Sequence, residues 1–105
     1  MIVAFSISPA GGADDGSVSE AVAAAVRVVR ESGLPNETNA MFTNIEGEWD
    51  EVMAVVKQAV DVVAATSPRV GLVLKADIRP GHTGELTGKV ERVERLLADG
   101  DHDGA

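Results

Sequence analysis

Ser6, Ser8, Thr43, Asn44, Glu46, Lys75 and Asp77 are the residues of this chain whose types and spacing could do chemistry together. Each falls within a short segment that reads as a strand, and on alternation Ser6 and Ser8 share a face with Asn44, Glu46, Lys75 and Asp77. Hydroxyl, amide, carboxylate and ammonium groups gathered in one concavity supply both donors and acceptors, the mixture that orients a small polar heteroaromatic molecule. Ser6, Ser8, Thr43 and Asn44 would orient the ring edge, and Glu46 would face an amine or a cationic ring. The plainer reading of the same residues is a polar sheet face with its own ion pairs, turned to solvent or to another subunit.

Other reactive types are scattered in ways that build no catalytic or metal centre. His82 sits between glycines in a loop and His102 in the tail, neither with a second ligand at metal spacing nor a nucleophile beside it. There is no cysteine, which removes thiol chemistry, disulfides and thiolate-bound zinc. Gly11-Gly12 and Gly81 to Gly84 lack the phosphate-loop pattern, so no nucleotide cofactor is expected. In the acidic run Glu46-Gly47-Glu48-Trp49-Asp50-Glu51, the carboxylates of Asp50 and Glu51 read as favourable charges at a helix start. Glu46 precedes that helix on a strand and is free for another role. Trp49 reads as a residue of the core edge or of a subunit contact.

The elements that must position these groups are legible in the periodicity. Val3, Phe5 and Ile7 alternate with Ala4, Ser6 and Ser8, a half-buried strand over Ile2 to Ser8, broken by Pro9 and the glycines after it. Ser17 and Glu20 stand at capping-box spacing before Val22, Ala25, Val26 and Val29, a first helix that ends at Ser32-Gly33. Residues 36 to 47 read as two short antiparallel strands joined near Ala40 to Phe42. A second helix opens at Glu48 and carries a wide apolar stripe through Val52, Val56, Ala59 and Val63, wide enough to predict contact beyond the sheet. Arg69 to Arg79 is the clearest strand, with Val70, Leu72, Leu74, Ala76 and Ile78 alternating with more polar positions. Leu86, Val90, Val93 and Leu97 define a third, shorter helix. The order predicts an α+β fold of the ferredoxin-like βαββαβ kind: a four-stranded antiparallel sheet, two helices on one face, and a C-terminal helix. Residues 1–98 form a single domain on this reading, and 99–105 a disordered acidic tail.

Composition bounds the partners. The net charge is −8, a field that repels phosphate backbones and anionic lipid, so neither nucleic acid nor membrane is expected as a partner. Only 3% of the residues are aromatic, so the core is built from aliphatic side chains and is small for a chain of 105 residues. The open sheet face and the wide second helix therefore predict a homodimer or homotetramer. The apolar N-terminal run has no basic flank and reads as a strand, which makes the cytoplasm the expected location.

Ser17-Val18-Ser19, Ser32-Gly33-Leu34-Pro35, Ile45 to Met53, Arg69-Val70 and Lys75 to Arg79, in this order and spacing, resemble the thiamine-binding protein family, long described as an uncharacterised family of the UPF0045 type. The resemblance runs from Ile2 to about Val93, and its most specific stretch is Glu46-Gly47-Glu48-Trp49-Asp50-Glu51-Val52. It implies a ferredoxin-like subunit, homo-oligomers built through sheets, and non-catalytic binding of thiamine or a related hydroxymethylpyrimidine. Many members carry Pro-Met-Gly-Thr where this chain has Ala40-Met41-Phe42-Thr43. The competing readings are a small ferredoxin-like enzyme of the isomerase or monooxygenase sort, using a carboxylate as base, and a purely structural oligomer.

Overall fold

The computed structural model describes residues 1–10 and 16–103. The side chain of Ser17 is not among them, so the Ser17–Glu20 capping pair lies outside the described residues. The elements follow in the order β1 (Ile2–Ala10), α1 (Gly16–Glu31), β2 (Asn36–Thr38), β3 (Thr43–Glu46), α2 (Trp49–Ala64), β4 (Arg69–Asp77) and α3 (Glu85–Asp103). The four strands form one antiparallel sheet in the order β2-β3-β1-β4. This is the expected βαββαβ arrangement with a trailing helix.

Alternation decides what each sheet face does. Val3 and Phe5 of β1 and Ile45 of β3 turn to one face. There they meet Ala21, Ala25 and Val29 of α1, and Val52, Val56, Ala59 and Val63 of α2, all buried. Each buried aliphatic side chain of this size contributes about 1.5–3 kcal/mol, so a core of valine and alanine stays modest. The wide stripe of α2 is consumed inside the subunit, because α2 packs against α1 as well as against β1 and β4. α1 ends where Gly33 takes a left-handed φ of 79°, a conformation that costs glycine no steric penalty.

Three expectations change. β1 runs through Pro9 to Ala10 and does not break at Pro9. β3 pairs only with residues 2–5 of β1, so from Ser6 onward one edge of β1 has no partner strand among the described residues, and a proline can face that edge without costing a ladder bond. α3, read as the shorter helix, is the longest, at 19 residues. It continues past Asp99, where the sequence reading places a tail. The stripe of α2 is covered within the subunit, while α3 leaves Val90, Val93, Leu96 and Leu97 55–70% exposed; Trp49 at the start of α2 and Val73 of β4 are exposed as well. No helix among the described residues is long and apolar enough to cross a membrane.

Candidate functional site

Where β3 begins, at Thr43 opposite Phe5 of β1, the sheet leaves a gap that α1 and the β2–β3 turn wall in. The result is a cavity of about 220 Å3. Phe5, Ile7, Val22, Ala25 and Val26 form its apolar floor and side, Thr38, Asn39 and Thr43 bring hydroxyls and an amide to its rim, and Ser6 borders it along β1. Met41 and Phe42 close it from the turn. None of its lining residues carries a charge. The turn is held by its own sequence: the Asn39 side-chain oxygen accepts the N–H groups of Met41 (2.9 Å) and Phe42 (2.8 Å). The Asn39 N–H in turn donates to the Phe42 carbonyl at 2.9 Å. That double closure holds the turn carrying Met41 and Phe42 in place over the cavity.

A second concavity of about 210 Å3 lies at the other end of the sheet, on its open face, among Met1, Ile2, Glu46, Asp77, Arg79, His82, Glu85 and Lys89. Its centre is Glu46, only 5% exposed. One carboxylate oxygen accepts the N–H of Glu85 at 2.8 Å and the other that of Leu86 at 3.1 Å. These are orphan donors of the first turn of α3, so Glu46 caps that helix from 39 and 40 residues away in sequence. Around it, Lys89 bonds Asp77 and Arg92 bonds Glu85, while His82 Nδ1 lies 3.6 Å from Glu85. The hydrogen bond and charge of Lys89 hold the Asp77 carboxyl below its ordinary value, and Arg92 does the same for Glu85. Lys89–Asp77 ties α3 to β4, whereas Arg92–Glu85 is a pair within α3 itself.

The expected site residues are thus distributed over three places. Ser6 and Thr43 meet at the first cavity, Glu46 and Asp77 at the second. Asn44 and Lys75 flank Ala4 on the open face between them, and Ser8 lies opposite Gly71 toward the far end. The expected neighbourhood of Glu46 with Ser6 and Ser8 is not formed. β3 runs antiparallel to β1, so Glu46 at its end meets Ile2, and Ser6 is four residues, about 13 Å, further along. Thr43 faces the helices, opposite Phe5, by the same alternation that puts Asn44 on the open face. Glu46 does not stand away from a helix dipole either, since α3 begins on it.

Sequence reasoning did not find Val22, Ala25, Val26, Asn39 and Met41 as walls of a cavity. Asn39 before a tight connection is a turn signal that could have located the rim. The helix residues gave only a core pattern, which does not separate a wall from a floor.

The profile of the family described as thiamine-binding protein matches residues 3–94. A UPF0045 protein of Mycobacterium tuberculosis is 57% identical over 98 residues, 92% of this chain and 94% of the relative. Among solved structures, a hypothetical protein from Methanocaldococcus jannaschii superposes with a TM-score of 0.78 at 33% identity, covering 89% of this chain and 94% of the other. A Thermotoga maritima protein, described as a candidate for thiamine biosynthesis or salvage, has a TM-score of 0.74 at 28% identity, covering 88% and 96%.

Proposed function

The chain belongs to the thiamine-binding protein family, and from that premise we propose that it binds thiamine or a related hydroxymethylpyrimidine, without catalysis, in the cavity between β1, α1 and the β2–β3 turn. The observation that carries the reading is the chemistry of that cavity: an apolar floor, a rim of hydroxyls and amide, and no charged lining residue. A neutral aminopyrimidine needs such a place, an apolar slot for its faces and a few fixed partners for its edge. At about 220 Å3 the cavity is below the ~300–1,000 Å3 of pockets that enclose a whole drug-sized ligand. One ring enters on this reading, and the cationic thiazolium stays at the mouth, in the field of a chain of net charge −8.

The open edge of β1 adds main-chain partners. Pro9 has no N–H to offer β4, so its place in the strand turns its main-chain groups to the β3 side, and Ile7, two residues earlier, turns the same way. Its N–H and C=O then face the gap that β3 leaves. An aminopyrimidine edge, with a donor beside an acceptor, matches a peptide N–H and C=O as a neighbouring strand would.

The anchoring role first expected of Glu46 passes, on this reading, to Thr43, Asn39 and the Ile7 main chain, because both Glu46 oxygens already hold α3. The cavity also presents no His, Cys, Asp or Glu among its lining residues to serve as a base, which favours binding over an isomerase-like reaction. The working form in this account is a cytoplasmic assembly of copies of the chain, supported by the open sheet face and the uncovered ridge of α3.

Calorimetry with thiamine, its phosphates and the free hydroxymethylpyrimidine tests the reading. The free pyrimidine is expected to bind and to compete with thiamine, and its affinity to change little with salt because no charge lines the slot. Absence of binding by every one of these compounds would remove the proposal.

A further inference from the structure

Met41 stands at the mouth of the slot and is the most exposed large apolar side chain among the described residues, at 74%. The chain has three methionines and no cysteine, so its oxidisable sulfur is all thioether. Met1 and Met53 are half-buried, which leaves Met41 the one most open to a small oxidant from solvent. A thioether at the wall of a ligand cavity differs from one on a bare surface, because a change in its polarity changes the cavity.

The turn keeps that side chain at the slot. The Asn39 side-chain oxygen accepts the Met41 N–H at 2.9 Å and the Phe42 N–H at 2.8 Å, and the Asn39 N–H donates to the Phe42 carbonyl at 2.9 Å. A turn closed this way has little freedom to carry a modified Met41 away from the cavity. The hydroxyls of Thr38 and Thr43 lie on the same cavity. They are donors, and the edge of a bound pyrimidine draws its partners from such groups.

We propose that Met41 is an oxidation site that regulates the slot: its sulfoxide weakens ligand binding, and reduction restores it. The inference rests on the slot reading above and adds what switches it. In the forward step hydrogen peroxide gives one oxygen atom to the sulfur. The O–O bond breaks, an S–O bond forms, the sulfur loses two electrons and water leaves. In the return step a thiol-dependent sulfoxide reductase supplies two electrons, its two thiols become a disulfide, and the oxygen leaves as water. The sulfoxide is polar and hydrated where the thioether was apolar. It must either shed its water to stay against the ring or turn to solvent and uncover the ring face, and both cost affinity. Its oxygen is also a new acceptor on the rim, competing with the ring for the Thr38 and Thr43 hydroxyls.

Graded hydrogen peroxide, followed by peptide mass spectrometry and by calorimetry with the free hydroxymethylpyrimidine, tests the switch. Met41 should gain an oxygen atom before Met1 and Met53 do. Affinity should then fall roughly 5- to 30-fold, with an unchanged circular dichroism spectrum and recovery after sulfoxide reductase. Met41→Leu carries no sulfur at the slot, and its affinity, whatever the starting value, should not move with peroxide. Met53→Leu should respond as the parent does, since that position lies on α2 and does not line the slot. Oxidation of Met53 or Met1 ahead of Met41, or a Met41→Leu protein that still loses affinity, would overturn the inference. No binding by the untreated chain sinks the slot reading and the switch with it, whereas binding that survives Met41 oxidation sinks the switch alone.

Discussion

Thr43 and Glu46 sit on the same short strand and, in this account, do unlike work. Thr43→Val keeps the shape of a buried side chain and removes one rim hydroxyl. It is expected to weaken pyrimidine binding about 5-fold, the worth of one hydrogen bond near 1 kcal/mol, with the melting temperature nearly unchanged. Calorimetry beside thermal denaturation checks both halves. Glu46→Ala should do the reverse. Loss of the cap costs about 1–2 kcal/mol locally, so hydrogen exchange at the Glu85 and Leu86 amides should quicken roughly 5- to 30-fold while ligand affinity holds. Unaltered exchange at those amides would show that the carboxylate does not hold the helix. Alternation read from sequence put Glu46 on the open face of its strand but could not say which partners lay across it, and Thr43, grouped with Asn44 in the expected site, faces the helices instead. The acceptor of the α3 cap is separated from its donors by 39 and 40 residues, and nothing local marks such a pair.

At the scale of elements, α3 is the part whose attachment depends on ionised groups, and the direction of its pH dependence follows. Asp77 and Glu85 ordinarily titrate at 3.8 and 4.5, and in the folded chain Lys89 and Arg92 lower both. A carboxyl with a depressed folded pKa contributes stability that is fully present above its unfolded value and lost as pH falls through the folded one. The Lys89–Asp77 tie between α3 and β4 and the Arg92–Glu85 pair within α3 should therefore persist from neutral pH down to about 5 and weaken only below about 4. Amide shifts of Glu85 to Arg92 followed by NMR would show it, and a loosening between about pH 7 and 6 would contradict it. α1 offers a second handle, because Val22 lines the cavity yet is 41% exposed. Val22→Phe should fill the slot and abolish binding with a stability change within about 1 kcal/mol, which calorimetry and chemical denaturation would measure. The order of elements was legible because periods of two and of about 3.6 separate strands from helices here. The register was not. Only pairing shows that β3 begins opposite Phe5 of β1 and leaves β1 unpaired on that edge beyond it, which opens the cavity.

Across the whole molecule, the account divides the sheet into three uses. One face carries the aliphatic core, the end of that face beside α1 carries the proposed ligand slot, and the open face with α3 carries the proposed contact with a second copy. The composition pointed toward this division without fixing it: few aromatics limit the core, and a net charge of −8 suits a cationic ligand held at a neutral slot. The sequence reading grouped Thr43 with open-face residues although alternation turns it to the core side, and it could not tell that Glu46 and Ser6 lie far apart along that face, because alternation is silent on position along a strand. The sharpest test is an NMR titration of the full chain with thiamine, reading every backbone amide. The account predicts the largest shifts at Ser6, Ile7 and Asn39 to Thr43, with Ile2, Glu46 and Arg79 to Leu86 nearly still. Shifts centred on Glu46, Arg79 and His82 instead would place the ligand in the charged concavity at the start of α3 and contradict the central claim.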